Sequence, residues 1–344
     1  MNKIESGEKL DFHNVLIRPK RSTLNSRSEV DLEREFKFKY SPLKWKGIPI
    51  ISANMDSTGT FEVCECLSSY KMITAIHKFY SIEDYKLFYE KQISPDSFMI
   101  STGIKNDAIE NLKAIFQVIN CNWICIDIAN GYISNLVEFC KKVREEFPNK
   151  IIVAGNVVTR EIVEELILNG KVDVVKVGIG PGSACTTRLK TGVGMPQLSA
   201  VLECADAAHG VGGHIISDGG ITCPGDMAKA FGGGADFVMV GGRFAGHDQN
   251  PGEVEEIDGK KYKFFHGMSS DKAQKTHYGK METYRASEGR VLKIPYKGDL
   301  NETVQDYLGG LRSTCTYINA SSMKNMAKCT TFIRVSQQVN DLFK

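Results

Sequence analysis

The chain of 344 residues carries no excess of charge of either sign: 43 lysines and arginines face 41 aspartates and glutamates, a formal net charge of +2. The two signs are interspersed, which argues against a nucleic-acid surface or a basic membrane patch as its main business. Any anionic substrate must therefore be held locally. No apolar stretch precedes the charged opening MNKIESGEKLDF, so neither a signal peptide nor a membrane span is expected. The ten cysteines include no CxxC pair; Cys64 and Cys66 form CxC, and Cys121 and Cys125 lie four apart, poor spacings for a metal site. Reduced thiols acting as core fillers are the simplest reading. None of the seven histidines has an HxxxH or similar spacing. His77 and His209 read as structural, and no metal-ligand histidine is assigned. No linker, low-complexity tract or second domain is apparent.

What the chain has is apolar material, 42% of its residues, enough for a large core. Eight short, β-branched runs recur: Pro49–Met55, Met72–Lys78, Phe98–Gly103, Trp123–Ala129, Ile151–Val158, Asp173–Gly180, His214–Gly220 and Phe237–Gly242. Their apolarity is continuous rather than alternating, the mark of strands buried on both faces in a parallel sheet. Helix-like stretches lie between them, at Ile109–Ile119, Ser134–Phe147, Arg160–Asn169 and Pro196–His209. The regular spacing predicts an α/β protein with a single (β/α)₈ barrel; an open, doubly wound sheet suits eight such units less well. The expected organisation is one domain over 1–344. Residues 1–48 form a charged, turn-rich N-terminal segment. Residues 243–344 form a lid and C-terminal segment, with a final helix, a hairpin around Asp258–Gly259 and a polar insertion from Gly267 to Val291. An insertion of that size after the eighth strand commonly makes an active-site lid.

One interval, from Asp173 to His214, is longer than the others and contains KVGIGPGSACTTRLKTGVGMP, Lys176 to Pro196. Its glycines let the backbone turn sharply and bring amide N–H groups near a ligand. Cys185 sits among hydroxyls, the cation of Arg188 and backbone donors, a setting that favours a thiolate nucleophile. A tight turn with an inert small residue is the bland alternative. In such barrels the site lies at the C-terminal strand ends, and phosphate is often held after strands seven and eight. Those loops read Ser217-Asp218-Gly219-Gly220 and Gly241-Gly242-Arg243. Paired glycines offer amides to phosphate oxygens, and Asp218 suits two ribose hydroxyls. Asn54, Asp56, Lys78, Asp127, Asn130 and Asn156 place further polar groups at the other strand ends.

Nearly end to end, the chain resembles the IMP dehydrogenase/GMP reductase family. The likeness is carried by KLDFHNVLIRPKRSTLNSRSEVDL at the start, ANMD at 53–56 and AGNVVT at 154–159. It continues through the Cys185 loop, SDGG, DFVMVGGRFAG, GMSS at 267–270, YRASEG at 284–289 and GGLRSTCTY at 309–317. Dehydrogenases usually insert a regulatory domain after the second strand, whereas here IHKFYSIEDYKLF runs directly from strand to helix. They also carry a longer flap with an Arg-Tyr pair that activates water; here the only counterpart is Tyr284-Arg285, in reversed order. The resemblance therefore implies the reductive branch, in which NADPH converts GMP to IMP and ammonia through a covalent cysteine thioimidate. The alternative is a dehydrogenase catalytic core that lacks its regulatory domain. A non-catalytic nucleotide-binding barrel or a flavin-dependent barrel would have no need of Cys185.

The resemblance also assigns roles. Cys185, Thr187 and Glu288 are the expected catalytic residues. The nucleotide is expected at Ser183, Asp218, Gly219, Gly220, Gly241, Gly242, Gly267, Met268, Ser269, Arg285, Ala286, Ser287 and Gly289. NADPH is expected along Lys78, Asp127, Ile128, Ala129, Ile179, Gly180, Met268 and Tyr284. Ser26 and Arg27, with Ser313, Thr314, Cys315 and Thr316, are expected to reach the dinucleotide partly across a subunit boundary. The carbonyls of Gly180, Gly182, Cys185 and Arg188 match the family's potassium loop. A cytoplasmic homotetramer acting on small-molecule nucleotides completes the expectation.

Overall fold

A computed structural model describes residues 3–268 and 289–336. Eight parallel strands close into a barrel: β1 (Ile50–Ser52), β2 (Ile73–Ile76), β3 (Phe98–Thr102), β4 (Trp123–Asp127), β5 (Ile151–Val157), β6 (Val174–Val177), β7 (His214–Asp218) and β8 (Phe237–Val240). Each pairs with its sequence neighbours, and β8 closes onto β1 with Met239 opposite Ile51. The strands are buried along most of their length because helices cover their outer faces and side chains fill the inside.

The helices are α1 (Phe61–Ser68), α2 (Ile82–Tyr89), α3 (Ala108–Val118), α4 (Ser134–Glu146), α5 (Arg160–Leu168), α6 (Thr187–Thr191), α7 (Gln197–Gly210) and α8 (Pro224–Gly232). Local sequence starts several of them. Thr60 caps α1 by accepting the Val63 N–H, and Ser81 with Asp84 forms a reciprocal capping box on α2. Only five residues separate β2 from α2, so no domain is inserted there.

The structure differs from the sequence reading mainly outside the barrel and at strand ends. Several expected strands are shorter, and their last expected residues form the rim loops instead. The N-terminal segment holds an antiparallel pair, Arg34–Lys37 with Lys44–Gly47, that closes the barrel floor. Phe36 stacks on Phe237 at 4.5 Å and Trp45 lies 5.4 Å from the same ring, burying the start of β8. Alternating burial along Lys44–Gly47 is the signature of a sheet wet on one face, weaker than the barrel runs. After β8, β9 (Glu255–Ile257), β10 (Lys260–His266) and β11 (Val291–Pro295) form a small antiparallel sheet. Its first turn is the expected Asp258–Gly259 hairpin, with both residues at positive φ as a type I′ turn requires. The last long helix, α9 (Leu300–Ile318), packs on α8.

Candidate active site

Three rim loops meet because glycine lets them. A Cβ on Gly178, just past β6, would stand 2.1 Å from the Asp218 carbonyl oxygen, so a side chain there would force the loops after β6 and β7 apart. Ser183 Oγ covers the next contact: a Cβ on Gly242 would meet it at 2.6 Å. Pro181 packs over Gly219 in the same way. The residues expected around the nucleotide after β6, β7 and β8 thus form one continuous surface. Met55 Sδ lies against Gly241, and the Asp56 N–H donates to Met268 Sδ at 3.4 Å, bringing Met268 to the same rim.

Cys185 sits at the centre of this surface. Its Sγ lies 3.2 Å from Thr187 Oγ1, and its N–H donates to the Gly182 carbonyl at 3.0 Å. Thr187 begins the short helix α6, which Gly192 closes in a left-handed conformation. Arg188 folds the loop back: its guanidinium donates to the Met195 carbonyl at 2.6 Å and pairs with Asp11. Cys185 also bridges Gly289 in antiparallel fashion, the Arg290 N–H donates to the Ala184 carbonyl, and the Gly267 N–H donates to the Arg290 carbonyl. The Arg290 guanidinium grips the Ser183 carbonyl at 2.9 Å and 3.1 Å. Both ends of the insertion are therefore stitched to the Cys185 loop. Glu288 is one peptide bond from the partner of Cys185, yet it lies outside the described residues, as do Ser269, Tyr284, Arg285, Ala286 and Ser287.

The expected cofactor side carries a second polar cluster. Asn54 donates to Asp127 Oδ2 at 2.8 Å, and Asn156 donates both to the Gly178 carbonyl and to Asp218 Oδ2, each at 2.8 Å. Between the two carboxylates stands Lys176, 2.6 Å from Asp218 and 3.0 Å from Asp127. Burial opposes ionisation of Asp127, but Lys176, Asn54 and Lys78 outweigh it and hold the carboxyl below its ordinary range. Lys176 is the residue that sequence reasoning missed, hidden as one polar letter in an apolar run. The available signal was physical: a lysine in a strand buried on both faces requires anionic partners.

Ile128 and Ala129 follow Asp127 on the rim, where the Ile128 N–H and carbonyl bond Gly155 and Asn156. Ile179 and Gly180 lie on the cysteine loop. Ser26, Arg27 and Ser313 to Thr316 gather elsewhere, where a short 3-10 turn at Arg27–Glu29 packs on α9. Among the described residues, no hydrogen bond or ion pair ties them to the rim of the same chain. Ser26 caps its own turn, and the Thr314 and Thr316 hydroxyls bond back into α9. Arg243 donates through Nε to Tyr307 of α9. Asn130 accepts the Tyr132 N–H and shapes its own loop.

The residues present fit the two groups that the resemblance implies. The Asp127 carboxylate beside the Lys78 and Lys176 cations, with the backbone of Ile128 to Asn130 following, is a donor set suited to a dinucleotide. Of the four carbonyls expected around potassium, those of Gly182 and Arg188 accept one N–H each, from Cys185 and Gly192, which leaves each a second lone pair. Oxygen ligands of this kind suit a hard monovalent cation.

A closed parallel barrel with a cysteine at the mouth, set against glycine loops after β7 and β8, has the architecture of a barrel enzyme. Comparison with known proteins narrows this. Residues 9–340 match the IMP dehydrogenase / GMP reductase domain model. The GMP reductase of Caenorhabditis elegans is 57% identical over 347 residues, covering all of this chain and 96% of that protein. GMP reductase 1 of Mus musculus is 56% identical with both chains covered in full. The GMP reductase of Yersinia pestis (strain Pestoides F) is 56% identical over 346 residues, 99% of each chain. The chain belongs to the IMP dehydrogenase/GMP reductase family.

Proposed function

We propose that the chain is an NADPH-dependent reductase that converts GMP to IMP and ammonia. The observation that carries this reading is Cys185, held 3.2 Å from Thr187 and paired with Gly289 beside Glu288. The full-length similarity to proteins named GMP reductase supports it.

Cys185 attacks C2 of the purine as a thiolate. The resulting tetrahedral centre expels the 2-amino group as ammonia and leaves a thioimidate on sulfur. An amine leaves only if protonated, so the step needs a positioned acid. Thr187 is in contact with the sulfur and relays a proton that Glu288 shuttles. The phosphate rests on the amides of Gly219, Gly220, Gly241 and Gly242, and Asp218 accepts from the ribose. Lys78 and Asp127 to Ala129 would hold NADPH, which would supply the hydride that C2 needs. Loss of the C–S bond then returns Cys185 and releases IMP. The carbonyls of Gly180, Gly182, Cys185 and Arg188 would hold a potassium ion, which would supply a fixed charge at the base of the loop.

The test runs two assays in parallel, following NADPH consumption with GMP and NADH formation from NAD⁺ with IMP. Turnover only in the first supports the reductase; turnover only in the second makes the chain a dehydrogenase core. Glu288→Gln tests the relay. It keeps shape but removes the ionisable proton carrier, so steady-state GMP reduction falls about 10²-fold, a typical general acid–base contribution. The reverse hydride step, from IMP and NADP⁺, suffers much less in a stopped-flow burst. Equal loss in both steps means that Glu288 positions the purine instead.

A further inference from the structure

Lys176 is 3% exposed, yet its ammonium lies between two carboxylates from different strands. Its Nζ is 2.6 Å from Asp218 Oδ2 on β7 and 3.0 Å from Asp127 Oδ1 on β4. The Met239 sulfur at 3.8 Å completes its surroundings. Asn156 from β5 takes Asp218 Oδ2 as well, and Asn54, just past β1, takes Asp127 Oδ2. Side chains from five strand ends thus form one hydrogen-bonded chain across the mouth. Among the described residues, the donors to these two carboxylates are the side chains of Lys176, Asn156 and Asn54, so their aim depends on side chains rather than on the backbone. With one ammonium bonded to both carboxylates, any donor arriving at either carboxylate changes how that ammonium is shared.

We infer that Lys176 is a positioning residue that couples the nucleotide half of the site to the dinucleotide half, by holding Asp218 and Asp127 on one ammonium. The inference rests on the reading above that Asp218 receives the ribose of GMP and Asp127 receives the dinucleotide. Lys176 is not the acid that protonates the departing amine. Burial works against its charge, but the attraction of Asp127 and Asp218 prevails and raises its pKa, so it keeps its proton. Coupling of this kind is reciprocal: whatever GMP does to dinucleotide affinity, the dinucleotide does to GMP affinity.

The groups facing the ammonium define what happens without it. They are Asp127, Asp218 and the Cys125 thiol, which burial pushes up to about 12 and so keeps neutral; Lys78 faces Asp127 from beyond β2. In Lys176→Met the two carboxylates face each other without their cation. Without it, the repulsion between the two carboxylates turns them away from the aim that the shared ammonium sets.

The test measures equilibrium GMP binding by calorimetry with and without saturating NADP⁺, a non-reactive pair, in wild type, Lys176→Met and Lys176→Arg. Wild type shows GMP affinity altered severalfold by NADP⁺. Lys176→Met brings that factor to about one and raises KM for both GMP and NADPH tenfold or more. Lys176→Arg restores part of the coupling. If Lys176→Met does not fold, Asp127→Asn serves as the second arm. It leaves Lys176 to neutralise Asp218 alone, so GMP binding weakens about threefold even without dinucleotide. A coupling factor near one in wild type overturns the inference. So does a Lys176→Met enzyme whose stability and kcat fall while KM and coupling stay at wild-type values. A wild-type protein that binds no GMP defeats the functional reading itself, a distinct outcome.

Discussion

At the barrel floor, Asp173 sits one residue before β6 and accepts four hydrogen bonds. Tyr40 and Ser41 N–H groups take Oδ1, while the Ile152 N–H and the Arg144 guanidinium take Oδ2. Asp236, one residue before β8, is held likewise by His209, the Ile215 N–H, Arg34 and His214. At the rim, Asp218 and Asp127 are only half-buried, and they accept from Lys176, Asn156 and Asn54. The contrast is informative. Each floor carboxylate takes a backbone amide of a neighbouring strand, and Asp173 takes two more from the N-terminal segment, so they staple the fold together. Rim carboxylates rely on side chains that can share them with a ligand. The aspartates at the two ends of the barrel therefore serve different purposes, as expected where stability resides at the bottom of a barrel and chemistry at the top.

The sharpest test of the contrast is Cys185→Ser. It abolishes turnover, because a serine hydroxyl is a far weaker nucleophile near neutral pH, while GMP binding and the melting temperature stay near wild type. Measurable GMP reduction by this variant breaks the covalent mechanism. Asp173→Ala is the floor counterpart. Removing one partner of a buried ion pair costs about 3–5 kcal/mol of stability, read from denaturant unfolding, and the folded fraction keeps its kcat. A stable variant with damaged kcat contradicts the division between the two ends. Asp218→Asn reverses the pattern. It raises KM for GMP by one to two powers of ten, as loss of a hydrogen bond to a charged group of about 1.5–3 kcal/mol implies, with little change in unfolding.

The smallest effect is a pH dependence at the floor. Burial works against the charged form of His214, but Asp236 prevails and raises its pKa above the ordinary value of 6.5; its contribution is full below that value and is lost as pH rises through the folded pKa. Asp236 is shifted the opposite way. Burial would raise its pKa, yet hydrogen bonds from His209 and His214 lower it, so its contribution is lost as pH falls below the carboxylate range. The floor cluster thus stabilises most between roughly pH 4 and pH 6.5. His214→Gln reduces the drop in melting temperature between pH 6 and pH 8, and an unchanged drop means that His214 is not its source.

Along the chain alone, the eight strands were legible because each is a continuous apolar run, and a run buried on both faces has few other homes in a protein of this size. The Cys185 loop, the glycine pairs at Gly219-Gly220 and Gly241-Gly242, and the Asp258–Gly259 turn were legible for a similar reason. Each depends on backbone geometry that only certain residues permit. The floor hairpin was not, since Arg34–Lys37 is short and mostly polar and becomes a strand only by stacking Phe36 on Phe237. Nor was Lys176. Its chemistry depends on two carboxylates that lie 49 residues before it, at Asp127, and 42 after it, at Asp218, and only closure of the barrel brings the three within hydrogen-bond distance. Local composition determined the strands and the reactive loop, because burial and glycine act on neighbours in sequence. The sharing of one ammonium between two aspartates was decided by tertiary structure, because electrostatics acts through space.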